Sequence, residues 1–297
     1  MDKRKITALA LASAMLITTS ASPVMAAAGD VKISLGADLT AQQQEEVLSL
    51  LSVSEAELAE SDVIYVTNEE EHAYLDSYVD YDTIGDAALS SSKVVLKEEG
   101  HGITVTTYNI NYCTTGMYQN ALITAGVEDA DVYVAGPEKM SGTAALIGIM
   151  KAYDAATDGS LNEENIDAAT QELAVTSEIA QATGADPEDV EMIIAELKTM
   201  LDEIAGMDDA SIDSMIVEVS QKYGVTFSDE NVVRVRELLK TLSALDLDSL
   251  LDKAMQLYEN FTNMLQGSDG AQGILDSIGS FLSGIFSTIS DWIKGLF

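Results

Sequence analysis

The chain has 297 residues, 50 of them acidic against 15 basic, for a formal net charge of −35 with 47% hydrophobic side chains. A field of that sign repels phosphate backbones, whose binding rests on Lys and Arg, so nucleic acid is excluded as a partner and electrostatic docking on anionic lipid is disfavoured. Cys113 is the single cysteine, so no intrachain disulfide exists and the fold rests on an apolar core, for which the length suffices to build two modest domains.

At the amino terminus, the basic stretch Asp2-Lys3-Arg4-Lys5 precedes an apolar run from Ile6 to Thr19 and a small-residue site at Val24-Met25-Ala26. This is the pattern of a signal peptide over residues 1–26, and the run is short for a membrane-spanning anchor, the other reading of such a segment. The mature chain is expected to begin near Ala27, outside the cytoplasmic membrane, with no cysteine at the cleavage site to carry a lipid.

Residues 30–158 alternate strand-like and helix-like stretches and predict an α/β domain with one helical layer on a mixed sheet. "VKISLG" reads as a strand, "TAQQQEEVLSLL" as a helix starting at Thr40, and "DVIYVTNEEEHAYLDSY" as a strand passing into a helix at Asn68. Glu69, Glu70 and Glu71 then fall in that helix's first turn, where the dipole favours anions. Two β-rich runs around Gly100-His101-Gly102 have the form of a hairpin, with His101 as a turn residue. "CTTGMYQNALITAG" reads as a helix closed by Gly126, "ADVYVAGP" as a strand, and "SGTAALIGIMKAYDAAT" as a helix capped by Ser141.

From residue 161 to 266 the strand signal gives way to helical periodicity, and a weak internal repeat sets residues 177–200 over 217–242. Each copy reads as helix, glycine stop, capped helix, with Asp186-Pro187 and Ser228 as the second starts. These two similar hairpins predict a small all-α domain. Residues 267–273, "GSDGAQG", form a linker by composition. The last segment, 274–297, is an amphipathic tail helix with Ile274, Ile278, Phe281, Leu282, Ile285, Ile289, Trp292 and Ile293 on one apolar face. Its glycines make it unstable alone in water, so it needs a surface: a membrane, another copy or the protein's own core. The fold class is therefore α+β, with an N-terminal α/β domain, a C-terminal helical domain and the tail.

The inventory for catalysis is thin. His72 and His101 are the only histidines, paired-His zinc motifs are absent, and neither the G-x-S-x-G elbow nor a phosphate-binding Gly-rich Lys loop occurs. Asp154, Asp158 and Gly159 imitate the opening of a calcium loop, but Ala156 and Asn165 stand where ligands are needed. No metal or other cofactor is implied. Two features retain chemical interest. Ser141, Gly142 and Thr143 follow a strand and open a helix, where backbone N–H groups can face an anion. Cys113 precedes a helix start, where a thiolate is favoured.

"VTNEEEHAYL" and "MYQNALITAGVEDADVYVAGPEKMSGTAALIGIMKAY", with the acidic helical half, resemble the DUF1002 family of secreted bacterial proteins. That resemblance implies an extracytoplasmic, envelope-associated location in a Gram-positive bacterium; it brings no activity and no catalytic residues. The leading expectation is a non-catalytic interaction or scaffold protein whose tail meets a membrane or its own copies. The alternative is an extracytoplasmic hydrolase or anion-binding protein using the Ser141 turn or Cys113.

Overall fold

The computed structural model describes residues 28–157 and 159–266. The signal peptide, the 267–273 linker and the 274–297 tail of the sequence reading lie outside these residues.

Seventeen elements follow in order: β1 (Val31–Gly36), α1 (Ala41–Leu50), α2 (Glu55–Glu60), β2 (Val63–Val66), α3 (Asn68–Leu75), α4 (Tyr81–Ile84), β3 (Ser91–Leu96), β4 (Ile103–Ile110), α5 (Thr115–Ala125), β5 (Ala130–Met140), α6 (Thr143–Ala156), α7 (Glu163–Thr183), α8 (Pro187–Lys198), α9 (Leu201–Ile204), α10 (Asp209–Lys222), α11 (Asp229–Ser243) and α12 (Leu247–Gln266). The fold is α+β. Its helix starts follow from local chemistry: Thr40, Ser54 and Thr67 each close a reciprocal capping box with the Gln or Glu three residues on.

The five strands form one mixed sheet in the order β2-β1-β3-β5-β4. The expected hairpin between β3 and β4 is corrected by this order, because β5 lies between them, antiparallel to β3 and parallel to β4. The Gly100-His101-Gly102 turn reverses the chain but leaves a strand-wide gap, which the apolar β5 fills. His101 is a turn residue as expected, with Nε2 on Asp131 at 2.9 Å.

The single helical layer is also corrected. Ser34, Val94, Val132 and Val134 face α5 and α6, while Ile33, Leu35 and Ala135 face the opposite side and pack with Val47 and Leu51 from α1 and its end. Alternation along each strand divides the two sets.

In the helical half, Gly184 ends α7 in the left-handed region, Asp186 caps α8, and Ser228 caps α11. The matched lysines differ, however: Lys198 is fully buried and Lys240 is 40% exposed on Asp209. α5 lies between the sheet and the later helices, packing on β4, α7, α8 and α12. One cluster of buried apolar side chains accordingly runs from Val94 through Leu122, Leu173 and Ile193 to Phe261, shared by the parts on either side of residue 158.

Candidate functional site: a closed polar cluster at the start of α6

β5 does not stop at Gly136-Pro137. It continues to Met140, whose partner in β4 is Ile110, across an irregularity after Tyr108. The Asn109 side chain spans that break, donating from Nδ2 to the Gly136 carbonyl at 3.0 Å. Beyond it, Asn111 N–H donates to Met140 and Cys113 N–H to the Ser141 carbonyl at 3.0 Å. These bonds bring Cys113 beside the Ser141 turn, two features far apart in the chain.

The cap of α6 is Gly142, not Ser141. Gly142 has φ of 93°, and a Cβ there would run into the Tyr118 hydroxyl and Ile110. Tyr118, fully buried on α5, donates to the Gly142 carbonyl at 2.6 Å. Ser141 instead contacts the Thr143 hydroxyl at 2.9 Å. Thr143 gives its one proton to Glu71 at 2.6 Å, so Ser141 is the donor in that contact.

Glu71 is the anion this helix start selects. It is 2% exposed, and its carboxylate also takes hydrogen bonds from Asn68 and from the Ala144 N–H. The next amide, Ala145 N–H, donates to Ser90 Oγ at 2.9 Å. The Ala144 and Ala145 amides of α6 are thus occupied from within the chain, with the dipole favouring the internal carboxylate. Burial nevertheless raises the Glu71 pKa, against the pull of these donors. Of the three first-turn acids, Glu70 turns out to Lys151 at 2.6 Å while Glu71 turns in.

Cys113 is corrected as a reactive thiol. It is 1% exposed, burial raises its pKa, the nearby Glu71 charge raises it further, and the Tyr118 hydroxyl that could oppose the rise already gives its proton to the Gly142 carbonyl. A thiolate needs cations or solvent, and this site offers neither. Neither histidine supplies a base here. His72 Nδ1 meets Asp76 at 2.6 Å, its Nε2 meets the Gly85 carbonyl at 3.0 Å, and Tyr81 stacks on the ring.

Three further polar groups lie in the helical core. Lys198 donates to Glu172 at 2.9 Å, to Thr124 and to the Asn120 carbonyl, all fully or almost fully enclosed. Glu196 receives Tyr223, Tyr258 and Lys222, joining α8, α10 and α12. Glu191 receives Thr114 Oγ1, and burial pushes its pKa up to about 7. Among the described residues, no group of three or more His, Cys, Asp or Glu side chains is placed to hold a metal, and no helix is long and apolar enough to cross a membrane. Asp154 uses Oδ1 to accept from Leu161 N–H at 3.0 Å, closing the loop that imitates a calcium site.

Fold and site together define an α+β protein in which Cys113, Thr143 and Glu71 are enclosed and the half-buried Ser141 is bonded to Thr143. Comparison with known proteins gives the family: residues 35–258 match DUF1002, described as a protein of unknown function. The chain belongs to that family. It is 35% identical over 293 residues to the protein described as "Uncharacterized protein YpuA" of Bacillus subtilis (strain 168), covering 97% of this chain and 99% of that relative. No solved structure matches significantly.

Proposed function

We propose that this is an exported, envelope-associated protein that acts by non-covalent association and performs no covalent chemistry. The observation that carries the reading is the enclosure at α6: Cys113 and Thr143 are buried, the half-buried Ser141 gives its proton to Thr143, and Glu71 takes the Ala144 amide. Export rests on the residue 1–26 pattern, and the acidic excess suits a solvated body that does not stick to anionic surfaces. Association is assigned to residues 274–297 on their apolar spacing, against a membrane or a second copy.

The test is site-selective labelling of the folded protein with iodoacetamide and a fluorophosphonate. Cys113 and Ser141 are expected to stay unlabelled until denaturant unfolds the chain; labelling in the native state returns the site to catalysis. Fractionation with amino-terminal sequencing should find a mature chain starting near Ala27 outside the cytoplasm. Liposome flotation and light scattering of Ile285→Asp/Trp292→Asp should show loss of lipid binding or of assembly; no change in either removes the tail's role.

A further inference from the structure

The buried carboxyls of the helical core are answered unequally. Glu172 has the Lys198 ammonium at 2.9 Å, and Glu196 has Lys222 at 2.6 Å together with the hydroxyls of Tyr223 and Tyr258. Glu191, 4% exposed on α8, has the neutral Thr114 hydroxyl. The elements packed around it bring no cation among the described residues. From α5 come Thr114, Gly116 and Asn120; the Asn120 Nδ2 is spent on the Glu191 backbone carbonyl at 3.3 Å, and its enclosed Oδ1 has nothing to donate. The charged groups that α7 and α10 turn toward α8 are spent on Lys198 and Glu196. α8 itself supplies Glu188 and, at its cap, Asp186, both acids that oppose an ionised Glu191. α12 supplies Phe261, whose ring shares with the Glu191 carboxyl the space left over Gly116 by the missing Cβ.

A carboxylate held away from water without a cation is costly, so the cheapest answer to ionisation is a movement that lets water in. α5 and α8 are poorly placed to make it, each being packed against several other elements. α12 is the last helix of the described body. Lys253 fastens it to Glu128 at 2.7 Å and Tyr258 to Glu196 at 3.0 Å, and its last two turns follow with Phe261 buried against the core.

We propose that Glu191 and Phe261 form a pH-dependent clasp, in which ionisation of Glu191 favours a local opening that lifts residues 259–266 of α12 from α5 and α8 and admits water to the carboxyl. The chain runs on from these turns into residues 267–297, so the clasp governs the point from which that segment departs, whatever partner the segment meets. Linkage sets the size of the effect. Enclosed, the Glu191 carboxyl titrates at about 7, against an ordinary 4.5 in water. Below 4.5 the closed and open forms both hold the proton and opening is rarest. Between 4.5 and 7 the open form alone has lost it, and the opening equilibrium climbs about tenfold per pH unit; above 7 both have lost it and the climb ends, after a rise of about 300-fold at most.

The experiment is amide hydrogen exchange of the full chain from pH 4.5 to 8, corrected for the intrinsic rate at each pH, with the Glu191 carboxyl followed by NMR. Protection of residues 259–266 is expected to fall roughly 100-fold across that range. It should lie below that of the α8 core at every pH and be insensitive to dilute urea, as a local opening requires. Glu191→Gln is expected to abolish the fall and keep these turns at their acid protection. Phe261→Ala, which lets water reach the carboxyl, is expected to lower the Glu191 titration by about one unit or more toward 4.5. Protection of residues 259–266 that stays flat with pH, an equal fall in Glu191→Gln, or a pH effect that carries the urea sensitivity of global unfolding overturns the proposal. So does a Glu191 titration that Phe261→Ala leaves in place. If Phe261→Ala fails to fold, exchange in the wild type and in Glu191→Gln still decides the matter.

Discussion

Replacing Glu191 with Gln isolates one buried carboxyl. Glu191 is 4% exposed on α8, with Thr114 donating to Oε1 and Oε2 lying over Gly116 near Phe261 of α12. Burial is the main cause of its rise from an ordinary 4.5 to about 7, and the charges of Glu188 and Asp186 add to it. Below pH 4.5 the folded and unfolded chains both hold this proton. Between 4.5 and 7 only the folded chain does, so raising the pH across that window withdraws stability; above 7 the loss is complete. A shift of about 2.5 units corresponds to roughly 3 kcal/mol at 1.36 kcal/mol per unit. Glutamine keeps an acceptor for Thr114 and never ionises. Urea unfolding of both proteins from pH 4.5 to 8 at fixed ionic strength should therefore show the variant gaining on the wild type by about that amount as pH rises, with unchanged m-values. A difference that stays flat with pH, or shrinks, refutes the placement of Glu191 in an enclosed apolar site.

Lys198→Met strands the Glu172 carboxylate in the core with Thr124 alone and should cost roughly 3–5 kcal/mol by denaturant unfolding, whereas Lys198→Met/Glu172→Leu should recover much of it. A double variant worse than the single contradicts the ion pair. Tyr258→Phe removes one of three donors to Glu196 and should cost about 1 kcal/mol while speeding amide exchange along α12; unchanged exchange there means α12 is held without this bond. His72 has an acceptor at each ring nitrogen, chiefly the Asp76 carboxylate, which raises its pKa above the ordinary 6.5. Its stabilisation should be complete below pH 6.5 and lost as pH climbs through the folded value, and an NMR titration at or below 6.5 excludes that geometry.

Much of the helical architecture was legible because helix ends are local events. Asp186, Ser228 and Gly184 mark their boundaries through neighbours a few residues away. Strand order is not local. Gly100-His101-Gly102 has the same chemistry whether its strands touch or flank a third, and the decision lies in β5, nearly thirty residues on. Likewise Gly136-Pro137 resembles a strand stop, yet β5 passes through it because the irregularity opposite Tyr108 and the Asn109 side chain absorb the disruption. The closed cluster at α6 left a usable trace: Glu71 is four residues before the buried Leu75, which puts a carboxylate on the core face of α3. Lys198 falls in step with Val190 and Ile194, and Glu172 with Ala168 and Val175, so charges interrupt otherwise apolar stripes. Periodicity can locate such interruptions. It cannot show that Lys198 and Glu172 answer each other, because that pairing depends on how α7 and α8 pack around α5.

The position of α5 bears on how the chain is assembled. The sheet side finishes only one surface of α5, and α7, α8 and α12 finish the other, so a break in the loop between Thr157 and Gly159 divides an unfinished interior between two pieces. Each piece alone leaves apolar surface in water, and the pair together regains the whole. The described body should unfold in a single concerted step, and a newly made chain should stay incompletely folded until its last helices have emerged.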